Sequence, residues 1–263
     1  MKQSLFILTT ILILLSLCTK SKTSSQENKI ATVTKNKIDT NSLNNSVTNN
    51  IPQENKYFPF SAIKVAVGGK HSLIVDSDST VWVSGCNEYG QLGIGDTVSN
   101  IVHFRKIMDG ACDVAAGKNH SLILKKDSTL WATGWNEYGQ LGTGDNNDRH
   151  GFEMVLSKVL AIAAGNRMTF ALRTDSILWA TGGNGYGDNP KYDDYDNKER
   201  TLFRRDLENV RSIATSWDAQ GTFQGFSLAI KNDGTVWGFG GDGWGVFGRG
   251  ISELGSWSEL QHM

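Results

Sequence analysis

The chain has 263 residues and a formal net charge of −1, from 26 basic and 27 acidic side chains. This length allows one or two domains with a sizeable core, and the balanced charge gives no electrostatic reason to expect a nucleic-acid partner. Glycine is abundant at 29 residues, proline is scarce at 3, and tryptophan reaches 8. Many glycines with many aromatic residues are typical of short strands joined by tight turns, because glycine adopts positive φ without a steric penalty.

Three cysteines, Cys18, Cys86 and Cys112, are too few for a disulfide scaffold. No two of them have the close spacing of a zinc site. Pairing of Cys86 with Cys112 in an oxidising compartment stays open, since cysteine also serves as a small buried hydrophobic residue.

Residues 1–18 have the pattern of a targeting segment. Lys2 supplies a positive start, and the twelve residues from 6 to 17 are apolar apart from two threonines and a serine. This stretch is too short to span a bilayer, which needs about 20 residues, but it fits the apolar core of a signal peptide. With Cys18 directly after it, the segment resembles a bacterial lipoprotein signal, in which that cysteine is lipidated. Leu17 departs from the small residue usual there, so ordinary secretion is the alternative; either way we expect the rest of the chain to leave the cytoplasm.

Residues 19–56 have a different composition, rich in Asn, Ser, Thr and Lys and without an aromatic residue before Tyr57. Such a segment cannot bury enough apolar surface to offset its chain entropy. We expect a disordered tether, followed by a folded domain over residues 57–263.

Four internal repeats occupy most of that domain, in units of about 57–102, 103–151, 152–200 and 201–250, with a C-terminal fragment after them. In each copy an aspartate precedes a tryptophan by four positions, and a glycine follows the tryptophan by three. The copies are Asp78, Trp82 and Gly85; Asp127, Trp131 and Gly134; Asp175, Trp179 and Gly182; and Asp233, Trp237 and Gly240.

Each unit is predicted to be a small antiparallel sheet. In the fourth unit, Asp233-Gly234 separates two apolar runs, a strong hairpin signal. The first three units carry Asp-Ser there, and we expect another turn type because positive φ is unfavourable for serine. One tryptophan per unit indicates packing between neighbouring units.

The residues His71-Ser72-Leu73 and the run Asn-Glu-Tyr-Gly-Gln-Leu-Gly at 87–93, both repeated in the second unit, resemble the regulator of chromosome condensation repeat. The resemblance implies an all-β protein, a β-propeller of four-stranded blades. The best-known members close a ring of seven blades, whereas this chain has room for about four. We therefore expect a small closed ring or, as the blade length favours, an open arc. The fragment around residues 257–260 begins a fifth blade or supplies a closing strand.

His71 and His120 are the obvious catalytic candidates, but the matching positions in later units hold Met168 and Phe226. A position that accepts these three residue types indicates packing, so we expect no catalytic residue and no enzyme activity. The acidic loops match no calcium motif, and the Gly-x-Gly-Asp runs ending at Asp96 do not form a phosphate loop. We expect no metal and no cofactor.

Two irregular loops break the repeat pattern, and insertions in repeat proteins often form the binding face. They supply the candidate binding residues: Tyr192, Asp193, Asp194, Tyr195 and Asp196 in one loop, and Trp217, Gln220 and Phe223 in the other. The resulting hypothesis is a non-catalytic cell-envelope binding protein, anchored to the membrane by a lipid on Cys18. Its partner is expected to be another protein, with a glycan as the alternative and no nucleic acid.

Two other functions remain as alternatives. Family resemblance implies a guanine-nucleotide exchange regulator, against which the secretion signal argues, because the nucleotide-bound partner is intracellular. The recurring aspartate and tryptophan also suggest a carbohydrate-binding or sialidase-like propeller, but their interval of four residues is shorter than in sialidase repeats.

Overall fold

The computed structural model describes residues 61–97, 100–183, 201–216, 226–240, 247 and 254–259. These residues form sixteen β-strands in four four-stranded sheets, each built from four strands that are consecutive in the chain. The first sheet contains β1 (Ala62–Val67), β2 (His71–Asp76), β3 (Thr80–Cys86) and β4 (Asn100–Asp109). The second contains β5 (Ala111–Ala116), β6 (His120–Lys125), β7 (Leu130–Gly134) and β8 (Arg149–Leu156). The third contains β9 (Val159–Ala164), β10 (Met168–Arg173), β11 (Leu178–Gly182) and β12 (Arg204–Leu207). The fourth contains β13 (Val210–Thr215), β14 (Phe226–Lys231), β15 (Val236–Gly240) and β16 (Leu254–Glu259).

All strand pairs are antiparallel, and strand order in each sheet follows chain order. This confirms the predicted all-β array of four propeller-type blades. The C-terminal fragment forms β16, which pairs with β15 and completes the fourth sheet rather than beginning a fifth. Because the outer strand of each sheet comes last, the sheets end at residues 109, 156, 207 and 259, beyond the ends of the sequence repeats.

The turn between the second and third strands has the same backbone conformation in all four sheets. Ser79, Ser128 and Ser176 have φ of 67°, 65° and 62°, and the equivalent Gly234 has φ of 92°. The expectation of a different turn type at the serines was therefore wrong. A neighbouring carboxylate offsets the unfavourable φ: Asp127 Oδ1 accepts a hydrogen bond from the Thr129 amide at 3.0 Å, and the third and fourth copies repeat this bond.

The core lies between neighbouring sheets as three clusters of buried apolar side chains. Between the first and second sheets, for example, Leu73 and Val83 pack with Val114 and Ile123. Trp131, Trp179 and Trp237 pack against the first, second and third cluster respectively. These contacts confirm, for those three tryptophans, the prediction that the repeated tryptophan packs between units.

The innermost strands β1, β5, β9 and β13 lie next to one another in that order. Among the described strands, those of the first sheet share no extended contact with those of the fourth. The described sheets therefore form an open arc, and the first sheet has one face that no other described sheet covers.

Cys86 is buried, Cys112 is half-buried, and the two do not form a disulfide with each other. Within the described ranges, no helix is long and apolar enough to cross a membrane. The predicted signal and tether, residues 1–56, lie outside the described residues.

Candidate functional site

One end of the array, here called the loop face, is formed by the turns between the first and second strands of each sheet and the connections between the third and fourth. Backbone hydrogen bonds tie these two kinds of loop together. The Cys86 amide donates to the Lys70 carbonyl at 2.8 Å, and the Trp135 amide donates to the Asn119 carbonyl at 2.9 Å. In the third sheet the Gly183 amide donates to the Arg167 carbonyl at 3.0 Å.

Side chains of the Asn-Glu-Tyr-Gly-Gln-Leu-Gly motif hold the loop that follows the third strand. Asn136 is fully buried; its Oδ1 accepts from the Leu141 amide at 2.9 Å, and its Nδ2 donates to the Asp145 carbonyl at 2.8 Å. Gln140, also fully buried, accepts from the Tyr138 amide at 3.0 Å.

The same bonds recur in the first sheet through Asn87 and Gln91, at 2.7 to 2.9 Å. The motif leucines Leu92 and Leu141 insert into the core with no exposed surface. The asparagine and glutamine of the motif thus hold the loop from inside, whereas its glutamate is exposed and its tyrosine is half-buried at the surface.

Three aromatic side chains on this face contact one another in succession: Tyr89, Trp135 and Tyr138, here called the aromatic row. The Trp135 ring lies 5.8 Å from the Tyr89 ring and 5.2 Å from the Tyr138 ring between centroids. The Arg167 guanidinium stacks on the far side, 4.1 Å from the Tyr138 ring centroid. Since Tyr89 belongs to the first sheet, the other two rings to the second and Arg167 to the third, the row joins three blades on one surface.

The row exists because of one position that varies between repeats. This position directly follows the glycine that lies three residues after the repeated tryptophan. It holds Cys86 in the first copy, Trp135 in the second and Gly183 in the third. Trp135 fills the space between two motif tyrosines. A Cβ on Gly183 would lie 2.8 Å from Tyr138, so only glycine lets that ring lie flat there. Sequence reasoning missed this site, although the departure of Trp135 from its counterparts was the available signal.

Below the loops, a buried hydrogen-bonded pair joins each of the first two sheets to the next. His71 Nε2 lies 2.9 Å from Ser121 Oγ, and His120 Nε2 lies 3.1 Å from Thr169 Oγ1. Ser121 Oγ also donates to the Gln91 carbonyl at 2.6 Å, so its single proton is used and His71 is the donor in the pair. These two pairs are called the histidine seam.

Burial keeps the seam imidazoles neutral. His71 is 3 % exposed and His120 is fully buried. Desolvation is the main cause that lowers the pKa of His71 to about 4 and that of His120 to about 3. The rings also pack on glycine: a Cβ on Gly68 or Gly117 would lie within 2.2 Å of the neighbouring imidazole. The geometry thus supports the packing interpretation of these positions and adds a polar tie that the sequence did not indicate.

The third interface differs, because Met168 replaces the histidine. Ser227, the counterpart of Ser121, instead donates to Thr215 Oγ1 at 2.9 Å. A cavity of about 10 Å³ remains, lined by residues that include Gly165, Asn166 and Met168. This is about the space that one water molecule requires.

Asp145, at the end of the second Gly-x-Gly-Asp run, is held by an arginine. Arg149 binds both of its carboxylate oxygens, at 2.8 and 3.1 Å, and thereby lowers the pKa of Asp145 to about 2. The Asn147 amide donates to the same carboxylate at 2.9 Å. The aspartate therefore stabilises its own turn. In the described part of the chain, no group of three or more His, Cys, Asp or Glu side chains is placed to hold a metal ion.

The candidate residues named from the sequence lie outside the described residues: Cys18, Tyr192, Asp193, Asp194, Tyr195, Asp196, Trp217, Gln220 and Phe223. The strand ends that flank the two irregular loops are described. They are the ends of β11 and β13 and the starts of β12 and β14, and they belong to the loop face.

Comparison with known proteins supports the fold. Two models of the regulator of chromosome condensation (RCC1) repeat match the chain, one at residues 62–91 and 111–140 and the other at 78–124 and 127–172. A comparison with curated proteins found no match.

Solved structures show the same architecture. Yeast RCC1 (Prp20), in its crystal structure with Kap60, has a TM-score of 0.65 and 22 % identity, over 79 % of this chain and 50 % of that one. Human WBSCR16 has a TM-score of 0.59 and 22 % identity, over 81 % of this chain and 54 % of that one. The chain thus spans about half the length of these solved relatives. The repeat matches, the four antiparallel sheets and the likeness to yeast RCC1 together identify this chain as an RCC1-repeat β-propeller protein.

Proposed function

We propose that this protein is a non-catalytic binding protein of the cell envelope and that its loop face binds another protein through the aromatic row and Arg167. The observation that carries the proposal is the succession of contacts between three rings and one guanidinium from three blades, with ring centroids 5.2 and 5.8 Å apart.

These residue types favour protein binding. Tryptophan, tyrosine and arginine are the side chains most enriched among residues that dominate protein–protein binding energy. They carry large contact areas, and here the rings contact one another at interplanar angles of 49° and 78°. The loops beneath them are fixed by buried asparagine and glutamine side chains, so little conformational entropy is lost on binding.

The related yeast protein adds support for a protein partner. One crystal structure contains yeast RCC1 (Prp20) with Kap60 bound to it. Another crystal structure of Prp20p is described together with the binding of that protein to Gsp1p and histones. At 22 % identity the likeness shows the fold alone. It supports the class of partner, and the partner of this chain is left to experiment.

The envelope location rests on residues 1–18. Lipidation of Cys18 would place the sheets outside the cytoplasm on the tether of residues 19–56. Changing Cys18 to Ala should release the protein from the membrane fraction and abolish labelling with palmitate. Unchanged membrane association would contradict the lipid anchor.

Capture of partners from native membranes tests the loop face. The full chain serves as bait beside a Trp135→Ser/Tyr138→Ser variant and a Met154→Ser control, which alters a 56 % exposed apolar side chain on strand β8, away from the loop face. We expect the double variant to bind the recovered partner at least tenfold more weakly, a loss of about 1.4 kcal/mol, while the control binds normally. Melting temperatures exclude unfolding as the cause.

A second pair of variants separates the aromatic row from the irregular loops. Replacing Asp193, Asp194 and Asp196 with Ser, or Trp217 with Ser, tests the loops identified from the sequence. Loss of binding only in these variants would move the site from the aromatic row to the loops. Full binding by all variants would contradict a loop-face site.

Two assays distinguish the alternative functions. Accelerated nucleotide release from a small GTPase would favour an exchange regulator, for which the likeness to yeast RCC1 is the supporting observation. Saturable binding on a glycan array with loss in Trp135→Ser would favour a carbohydrate ligand. We expect neither result.

A further inference from the structure

The uncovered face of the first sheet is the counterpart of a surface that packs on the preceding sheet in each of the other three sheets. Its inner strand β1 exposes Val65 and Val67, each 68 % exposed, and Ile63, 54 % exposed. By strand register, Val65 lies opposite Ile74 and Ile74 opposite Trp82. This trio repeats as Val114, Ile123 and Trp131 in the second sheet.

In the second sheet the same surface is the contact with the first. Val114 is 7 % exposed, Ala116, the counterpart of Val67, is 8 % exposed, and Ile123 is fully buried. Both Val114 and Ile123 belong to the core cluster between the two sheets. The first sheet therefore carries a complete half of an inter-blade interface.

The fourth sheet carries the other half. Leu228 has the register position of Leu73 and Leu122, both of which are fully buried against the following sheet. Leu228 itself is only half-buried and belongs to none of the three clusters. Near it, the rings of Phe226 and Phe247 meet edge to face, with centroids 6.1 Å apart. Apolar side chains thus lie on both end faces of the arc.

We propose that two copies of this chain join head to tail, so that the outer face of the fourth sheet of each copy packs on the Val65 face of the other. The contact continues the interface already present three times within the chain. Used twice, a head-to-tail contact between two arcs closes a ring. Two copies supply eight four-stranded sheets, four from each chain.

The third interface shows that this contact does not require a histidine. There Met168 stands at the position of His71 and His120, and the sheets still pack around a buried core. Phe226 has the same position in the fourth sheet. At the contact between copies it would lie against Ser72, the counterpart of Ser227.

Sedimentation of the purified full chain tests the proposal. We expect a mass near twice the 28.8 kDa of one chain at micromolar concentration. Val65→Lys should shift the protein to the monomer, because it places a charge in the contact. The matched control is Met154→Lys on β8 of the second sheet, a 56 % exposed side chain that belongs to neither end sheet, which should remain a dimer.

A mixing experiment tests the head-to-tail arrangement. Leu228→Lys, at the other end face, should also be monomeric. An equimolar mixture of the Val65→Lys and Leu228→Lys variants should recover dimers, because the mixed pair retains one contact in which both faces are native. Circular dichroism shows whether each variant is folded, and Val67→Ser is a milder replacement if Val65→Lys is not.

Three results would overturn the proposal. The first is a wild-type chain that is monomeric at about 100 µM, a concentration well above the Kd of a stable dimer. This result would show that a second copy does not bind the face. In that case slow hydrogen exchange in β1 would indicate that another segment of the same chain covers it. A dimer that is unaffected by Val65→Lys uses another surface, and failure of the mixture to dimerise would exclude the head-to-tail contact.

Discussion

The first two sheet interfaces and the third use the same backbone framework with different interior chemistry. In the first two, a buried imidazole hydrogen-bonds to a hydroxyl of the next sheet at 2.9 and 3.1 Å. In the third, Met168 takes that place, the serine turns to its own sheet, and a cavity of about 10 Å³ remains. The clusters of buried apolar side chains at the three interfaces are otherwise similar in size.

The comparison shows that apolar packing is enough to form the interface between two blades. The histidine adds a hydrogen bond to the next sheet and makes the stability of the interface depend on pH. Protonation of an imidazole that is buried in apolar surroundings is unfavourable, because the new positive charge is removed from water. Acid should therefore destabilise the first and second interfaces, which contain the histidines, but not the third interface, which contains Met168.

Acid should destabilise the protein strongly, the largest effect we expect. The folded pKa values of His71 and His120, about 4 and about 3, lie below the unfolded value of 6.5. The unfolded chain therefore binds more protons, and stability is complete above pH 6.5 and falls as the pH drops towards 4. Each histidine contributes about 1.4 kcal/mol per pH unit, so the free energy of unfolding should fall by about 5 kcal/mol between pH 6.5 and 4.5.

Urea unfolding at several pH values measures this, with His120→Met as the matched variant, since Met168 shows that the position accepts methionine. The variant should show about half of the pH dependence. Desolvation raises the pKa of half-buried Asp113, so the protonation of this carboxyl in acid favours the folded state, and this contribution is common to both proteins. If the free energy of unfolding changed equally with pH in the two proteins, the proposed role of buried neutral His120 would be contradicted.

Removal of an interface tryptophan should have the next largest effect. Trp131→Ala should lower the free energy of unfolding by about 3 kcal/mol, because the ring packs against the core cluster between the first and second sheets. Leu202→Ala, which truncates a largely exposed side chain, should change stability by less than about 0.5 kcal/mol. A melting temperature of Trp131→Ala within a degree or two of the parent would show that the ring does not contribute to the interface.

A smaller, stabilising effect is expected in the third sheet. Trp131 Nε1 and Trp237 Nε1 each donate to a threonine hydroxyl two residues earlier, at 2.9 Å. The third copy has Ile177 at that place, and Trp179 Nε1 is buried with no hydrogen-bond partner among the described residues. Ile177→Thr should supply the acceptor and raise stability by about 1 kcal/mol.

The control for that change is Ile177→Val, which has a similar shape and no hydroxyl. If Val stabilises as much as Thr in thermal melts, the gain does not come from the indole hydrogen bond.

The spacing of repeated residues was enough to predict the sheets, because a period of aspartate, tryptophan and glycine reflects one structural unit per repeat. The side chain of Asp127 explains why serine accepts positive φ in the turn, a local compensation that φ preferences alone do not include. The aromatic row could not be predicted, since it depends on which loops meet in space. Likewise, the counterparts Met168 and Phe226 indicated a packing position but not the bond from His120 to Thr169.

The histidine seam is tested most directly by an NMR titration of the two imidazoles, assigned with His71→Gln and His120→Gln. The predicted result is that both resonances stay in the neutral form, bound at Nε2, down to about pH 5, with midpoints near 4 and 3. Midpoints near 6.5 for His71 and His120 would contradict a buried neutral seam between the first three sheets.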